Sequence, residues 1–192
     1  MIEKLSRVLA ARPVKHFSTT NRRESAVLIP LYKKEEKYHI LFIQRTGNVT
    51  VHKHQISFPG GRYETSDKTL KDTALREAEE EVGIRQEDVN IIGELDDFAT
   101  AGSHYVISPF VGVIPYPYNF KIDTFEAQEI IDVEIDELMD MTCREEGTTV
   151  IDGETIPAYF YHHGDRVIWG ATARVLKQFL DILCALDNPL TP

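Results

Sequence analysis

Residues 58–61 read Phe58-Pro59-Gly60-Gly61, and residues 69–84 read Thr69-Leu70-Lys71-Asp72-Thr73-Ala74-Leu75-Arg76-Glu77-Ala78-Glu79-Glu80-Glu81-Val82-Gly83-Ile84. The longer stretch has no Gly or Pro before Gly83 and is rich in Ala, Leu and Glu, which predicts a helix over 69–82 with a glycine stop. At about 100° per residue, Glu77, Glu80 and Glu81 fall within a stripe roughly 100° wide. Leu75, Ala78 and Val82 take the other flank and are free to face a core. Like charges three and four residues apart destabilise an isolated helix by about 0.2–0.5 kcal/mol per pair, so the stripe needs compensation. A hard divalent cation supplies it, and magnesium, with its preference for carboxylate and phosphate oxygens, would also bridge the stripe to a diphosphate. Taken alone, Glu79-Glu80-Glu81 reads first as a solvated helix face. The upstream turn shifts the balance. Gly60 and Gly61 close a short strand and let a metal or phosphate approach backbone carbonyls and amides with no Cβ in the way.

Strand, glycine turn, loop and acidic helix in this order resemble the Nudix box, whose pattern is Gly, five residues, Glu, seven residues, then Arg-Glu-apolar-any-Glu-Glu-any-Gly-apolar. Gly61 takes the first position, and Arg76, Glu77, Ala78, Glu80, Glu81, Gly83 and Ile84 fit the second half. Asp67 stands where the first Glu is expected, and the loop that follows, Lys68 to Leu75, is one residue longer than the pattern. Both departures resemble the coenzyme A diphosphatase branch of the family. So do Leu41-Phe42-Ile43-Gln44-Arg45-Thr46, Gln55-Ile56-Ser57-Phe58-Pro59-Gly60-Gly61, Ser108-Pro109-Phe110-Val111-Gly112 and Ile168-Trp169-Gly170-Ala171-Thr172-Ala173-Arg174, with Thr50 and His54 in place of that branch's Arg and Gly. The resemblance covers residues 41–174.

The resemblance implies a Nudix fold of the α+β class, a mixed sheet between helices. It also implies Mg²⁺-dependent cleavage, with Mn²⁺ as a substitute, of coenzyme A or its thioesters to 3′,5′-ADP and (acyl-)phosphopantetheine. Glu80 and Glu81 would hold the metal, joined by Glu77 and the Gly60 carbonyl. For the general base Glu77 comes first and Glu129 second, the latter through a family counterpart that reaches the same metal cluster. Arg76 points about 100° away from Glu77 and is expected to orient the helix and its carboxylates. Arg45, His52, Lys53, Gly61 and Arg62 are the candidate contacts to substrate phosphates, with ordinary surface charge as the other reading of the cations. His54 and His162-His163 have no ligand spacing to other histidines, and Trp169 and Phe58 read as core aromatics.

Working outward, residues 3–11 carry Leu5, Val8 and Leu9 at helical spacing, a packing appendage or a dimer contact. Ala26–Tyr32 and Tyr38–Ile43 read as an antiparallel pair around a charged turn, and Gln55–Phe58 as a short strand. Val89–Leu95, Tyr105–Ile114 and Glu129–Val133 read as strands, Pro115–Asp123 as a loop, Ile135–Met141 as a short helix and Ala171–Leu186 as a packed one. At 192 residues and 42% hydrophobic, one domain is the expectation, with residues 1–24 as an N-terminal helical extension and 25–192 as the hydrolase domain.

The net charge of −10, from 31 acidic and 21 basic residues, disfavours nucleic acid and anionic membrane and points to a small diphosphate partner reached through a cation. Cys143 and Cys184 suggest neither a disulfide framework nor a zinc site, and no signal or spanning segment is visible, so a cytoplasmic protein is expected, with a homodimer as its assembly. Two other readings stay open: a Nudix hydrolase for ADP-ribose, a nucleotide sugar or a nucleoside triphosphate, and a Nudix module that senses a nucleotide without cutting it.

Overall fold

In the computed structural model, which describes residues 1–17, 21–47, 55–100, 104–151 and 154–187, strand β1 (Arg23–Lys34) divides its side chains between two cores. Ala26, Leu28 and Tyr32 join Ala74, Ala78 and Val82 of helix α2 (Leu70–Val82). Ile29 and Leu31 join Leu5 and Leu9 of α1 (Ile2–Ala11) and Leu176, Phe179 and Leu183 of α4 (Gly170–Asp187). A strand covered on both faces needs apolar residues at consecutive positions, which is why Ala26–Tyr32 shows no alternation.

β1 pairs antiparallel with β2 (Lys37–Arg45) and parallel with β7 (Tyr105–Val113). β3 (Ile56–Ser57) and β8 (Ala127–Glu134) pair with β2; β4 (Gly60–Arg62) pairs with β1; β5 (Asn90–Glu94) and β6 (Phe98–Ala99) pair with β7. The result is an eight-stranded mixed sheet with α2 on one face and α1 and α4 on the other, the α+β architecture that the pattern predicted. The short α3 (Ile135–Met139) follows β8 and contributes Ile135 and Leu138 to the α4-side core. Among the described residues, no helix is long and apolar enough to cross a membrane.

α2 begins and ends where its sequence dictates. Thr69 caps it in a reciprocal box: the Asp72 amide donates to Thr69 Oγ1 at 3.2 Å and the Thr69 amide donates to Asp72 Oδ2 at 2.9 Å. Gly83 closes it in the left-handed conformation at φ 71°.

Three features depart from expectation. A second sheet of β9 (Arg144–Ile151), β10 (Glu154–His163) and β11 (Arg166–Ile168) fills a region that hydrophobic periodicity left unassigned. Its first strand opens Arg144-Glu145-Glu146-Gly147-Thr148-Thr149 with no apolar alternation, although Asp152-Gly153 between the first two strands is a hairpin signal in the sequence itself. Trp169 is not a core aromatic: it is 46% exposed, at the point where β11 gives way to α4, whereas Phe58 is buried and stacks on Phe42 with centroids 4.8 Å apart. Val8 is 38% exposed, so only Leu5 and Leu9 of the N-terminal helix are committed to the core.

Candidate active site

The glycine turn is held between two carboxylates of α2. The Gly60 amide donates to Glu81 Oε2 at 2.9 Å, and Arg45 of β2 donates to Glu81 Oε1 at 3.2 Å. Gly61, paired with Ala26, faces α2 so closely that a Cβ there would lie 2.4 Å from the Glu77 carboxyl carbon. Glycine at 61 is therefore what lets Glu77 lie flat on the β4 backbone.

The three glutamates of the stripe differ in environment. The Glu81 side chain is 1% exposed, Glu77 14% and Glu80 59%. Burial pushes the Glu81 carboxyl up to about 8, against the opposing pull of Arg45 and the Gly60 amide. Burial also raises Glu77, which Arg76 partly offsets. In both cases the charge of Glu126 adds to the rise, so Glu126, at the entry to β8, belongs to the same electrostatic cluster. Its carbonyl accepts from the Thr46 amide at 2.9 Å, tying it to the residue after Arg45.

Arg76 organises the rest and spends every donor it has. Nε and Nη2 donate to the two oxygens of Asp67 at 3.0 and 3.1 Å, Nη1 to Glu77 at 3.0 Å and Glu80 at 2.9 Å, and Nη2 to the Arg62 carbonyl at 2.9 Å. Asp67 is buried and also accepts from the Glu64 amide and the Thr73 hydroxyl, and the Arg76 guanidinium beside it holds its carboxyl down at about 2.

Of the candidates read from the sequence, the structure thus gathers Gly60, Gly61, Arg76, Glu77, Glu80, Glu81 and Arg45. Glu129 is held elsewhere. It sits opposite Gln44 on β8, on the face of Phe42 and Ile131, and both its oxygens accept from Arg166 Nη2 at 2.8 and 2.9 Å. Arg62 points to the same α4 side and stands over the Tyr105 ring. His52, Lys53, Thr50 and His54 lie outside the described residues. His163 meets Glu137 at 2.7 Å and His162 stands 3.6 Å from Glu145.

Among the described residues, no three carboxylate, imidazole or thiolate groups converge as a finished ligand set. The oxygens of Glu77, Glu80 and Glu81 are turned instead to Arg76 and Arg45. The donor chemistry nonetheless fits a hard divalent cation: carboxylates crowd against a glycine backbone, and the burial of Glu81 favours a further positive charge beside it. The enclosed Ser57 hydroxyl, on the α2 side beside Ile43, has no partner among the described residues.

The sequence profile of the NUDIX domain matches residues 22–159. The chain belongs to the Nudix family. An uncharacterized Nudix hydrolase NudL of Photorhabdus laumondii is 33% identical over 166 residues, which is 86% of this chain and 87% of that protein. A MutT/nudix family protein from Enterococcus faecalis shares the fold at a TM-score of 0.60 and 15% identity, covering 97% of this chain and 70% of the other. The Nudix domain of Shewanella oneidensis NrtR, solved with ADP ribose, superimposes at a TM-score of 0.52 and 13% identity over 64% of this chain and 79% of that one. Sequence pattern, profile and fold agree on the Nudix assignment, and the acidic helix and glycine turn of the family are the elements brought together above.

Proposed function

We propose that this Nudix protein is a Mg²⁺-dependent diphosphohydrolase that cuts coenzyme A or an acyl-coenzyme A into 3′,5′-ADP and (acyl-)phosphopantetheine. The observation that carries the hydrolase reading is the Gly60-Gly61 turn clamped between Glu77 and Glu81, which sets two carboxylates of α2 against one stretch of glycine backbone. The coenzyme A reading rests on the resemblance of the Asp67 loop and the segments around it to that branch of the family.

Glu77, Glu80, Glu81 and the Gly60 carbonyl would hold the metal. When bound, the ion neutralises diphosphate oxygens and acidifies a water. Arg76 aims Glu77 and Glu80 through its two Nη1 bonds. Arg45 is the cation placed to turn from Glu81 to a substrate phosphate, a role in which its planar fork is suited to two oxygens. For the base, Glu77 comes first and Glu126 replaces Glu129 as the second candidate, supported by its charge acting on Glu77 and Glu81 and by the engagement of Glu129 with Arg166. The catalytic domain spans 25–192, and residues 1–24 are an extension whose Leu5 and Leu9 dock onto it.

The test is mass spectrometry of products from the purified protein with coenzyme A and Mg²⁺, beside EDTA and Glu80→Gln controls. The expected result is 3′,5′-ADP and phosphopantetheine that both controls suppress. No turnover of coenzyme A, with turnover of ADP-ribose, a nucleotide sugar or a nucleoside triphosphate, moves the substrate within the family; no turnover of any of them leaves a nucleotide sensor.

A further inference from the structure

On the sheet face away from α2, one row of side chains runs across four strands. Arg62 of β4 is paired with Ser25 of β1, Ser25 with Ile107 of β7, and Ile107 with Phe98 of β6. Paired residues share a face, and Phe98 identifies it, since its ring packs against the core that contains α4. Two guanidinium groups lie over rings along this row. Arg62 Cζ stands 5.6 Å from the centroid of Tyr105, and Arg174 Cζ, from α4, stands 4.7 Å from that of Phe98. Tyr105 lies diagonal to Phe98, so the two Cα atoms are about 7–8 Å apart and the two pairs are neighbours.

Among the described residues, Arg62 and Arg174 meet no carboxylate, as Arg7 and Arg23 also do not, whereas Arg12, Arg45, Arg76, Arg85, Arg144 and Arg166 each hold one. The Tyr105 hydroxyl is enclosed and has no partner among the described residues. Position supplies the remaining link. Arg62 directly follows Gly61, whose other face abuts Glu77, and β4 is a three-residue strand paired with β1. A ligand with its diphosphate at the glycine turn has only this short strand to cross to reach Arg62.

We propose that Arg62 and Arg174, held over the rings of Tyr105 and Phe98, form a second anion subsite for a phosphomonoester that the substrate carries on its nucleoside, apart from the diphosphate. The proposal rests on the nucleotide diphosphohydrolase reading and adds to it the group that selects the substrate. Planar guanidinium groups match phosphate oxygens in pairs, and the rings beneath limit the directions in which each fork can point.

The test is calorimetric titration of the full-length protein, in Mg²⁺, with 3′,5′-ADP and with 5′-AMP. The wild type is expected to bind the bisphosphate at least about tenfold more tightly, the size of one charge-assisted contact. Arg62→Ala and Arg174→Ala should each bring the ratio toward one while AMP still binds, which reports an intact fold, and Arg85→Ala should leave the ratio alone. Equal affinities in the wild type, or a ratio that survives both variants, would overturn the proposal. Coenzyme A turnover read on the same samples separates the two ideas. Turnover without discrimination removes the subsite and keeps the hydrolase; discrimination without turnover does the reverse.

Discussion

Gly61→Ala tests whether the carboxylate of Glu77 must lie on the β4 backbone. An added Cβ would stand 2.4 Å from Glu77 Cδ and Oε1 and 2.5 Å from Oε2, against an ordinary contact of about 3.4 Å, so the carboxylate has to retreat by about 1 Å. Gly61 is not among the glycines with positive φ, and its pairing with Ala26 needs no glycine, so the backbone accepts alanine. A displacement of about 1 Å at a reacting group costs on the order of 100-fold in rate, about 2.7 kcal/mol of barrier. We expect kcat for coenzyme A with Mg²⁺ to fall by about that factor while Tm moves by no more than a few degrees. Gly60→Ala is the contrast. Its Cβ would meet the Ala26 carbonyl oxygen at 2.4 Å and Val27 Cα at 2.7 Å, backbone atoms that cannot swing aside, so stability falls by about 3 kcal/mol. A Gly61→Ala protein with kcat within threefold of wild type and unchanged Tm would refute the placement of Glu77, and a collapse of Tm would show that the space at Gly61 serves folding instead.

Glu126→Gln should lower kcat by about 100-fold with Tm retained, whereas Glu129→Gln should cost less than tenfold; the reverse ranking would return the base to Glu129. Mg²⁺ or Mn²⁺ at about 100 times its dissociation constant should stabilise the protein by about 2.7 kcal/mol, seen as a rise in Tm that Glu81→Gln removes. The Asp67 carboxyl is held at about 2 in the fold against an ordinary 3.8, so its stabilising contribution is complete above the ordinary value and is lost as pH falls toward 2. Urea melts from pH 5 to pH 2 should show this as a loss of about 2 kcal/mol that Asp67→Asn does not share.

The parts of this molecule that were legible in the sequence are those governed by neighbours along the chain. α2 declares itself through Ala and Leu content, the Thr69 and Asp72 box and the Gly83 stop, all within one segment. The β1–β2 hairpin does so through two apolar runs around Lys33–Lys37. Sharing of an acid between two candidates was not legible. Glu126 and Glu129 lie three residues apart, and the register of β8 against β2 decides that Glu129 faces away from Glu77. With Gln44 opposite Glu129 and Ile131 on Phe42, Glu129 is committed to the α4 side, and no local pattern in Glu126–Val133 reveals that pairing. The same holds for Arg62 and Arg174, far apart in sequence and neighbours only because β4, β1, β7 and β6 align.

The two departures from the Nudix pattern, which in the sequence resemble the same branch of the family, meet around one side chain in the structure. Asp67 is a carbon shorter than the glutamate it replaces, and the loop after it is a residue longer. The extra residue gives the loop slack to carry the Asp67 backbone toward α2, where the Tyr63 hydroxyl donates to its carbonyl at 3.1 Å and the shorter side chain still meets Arg76, Thr73 and the Glu64 amide. On this reasoning the pattern's own residue is wrong for this loop. Asp67→Glu pushes a methylene into a site whose side chain is 4% exposed, where overpacking costs about 1–3 kcal/mol, and displaces Arg76 from Glu77 and Glu80. We expect a lower urea midpoint and a fall in kcat together, both recovered when Lys68 is deleted so that the loop regains the pattern's length. An Asp67→Glu protein as stable and active as the wild type would mean that the loop length and the acid vary independently, and that Arg76 finds its geometry from α2 alone.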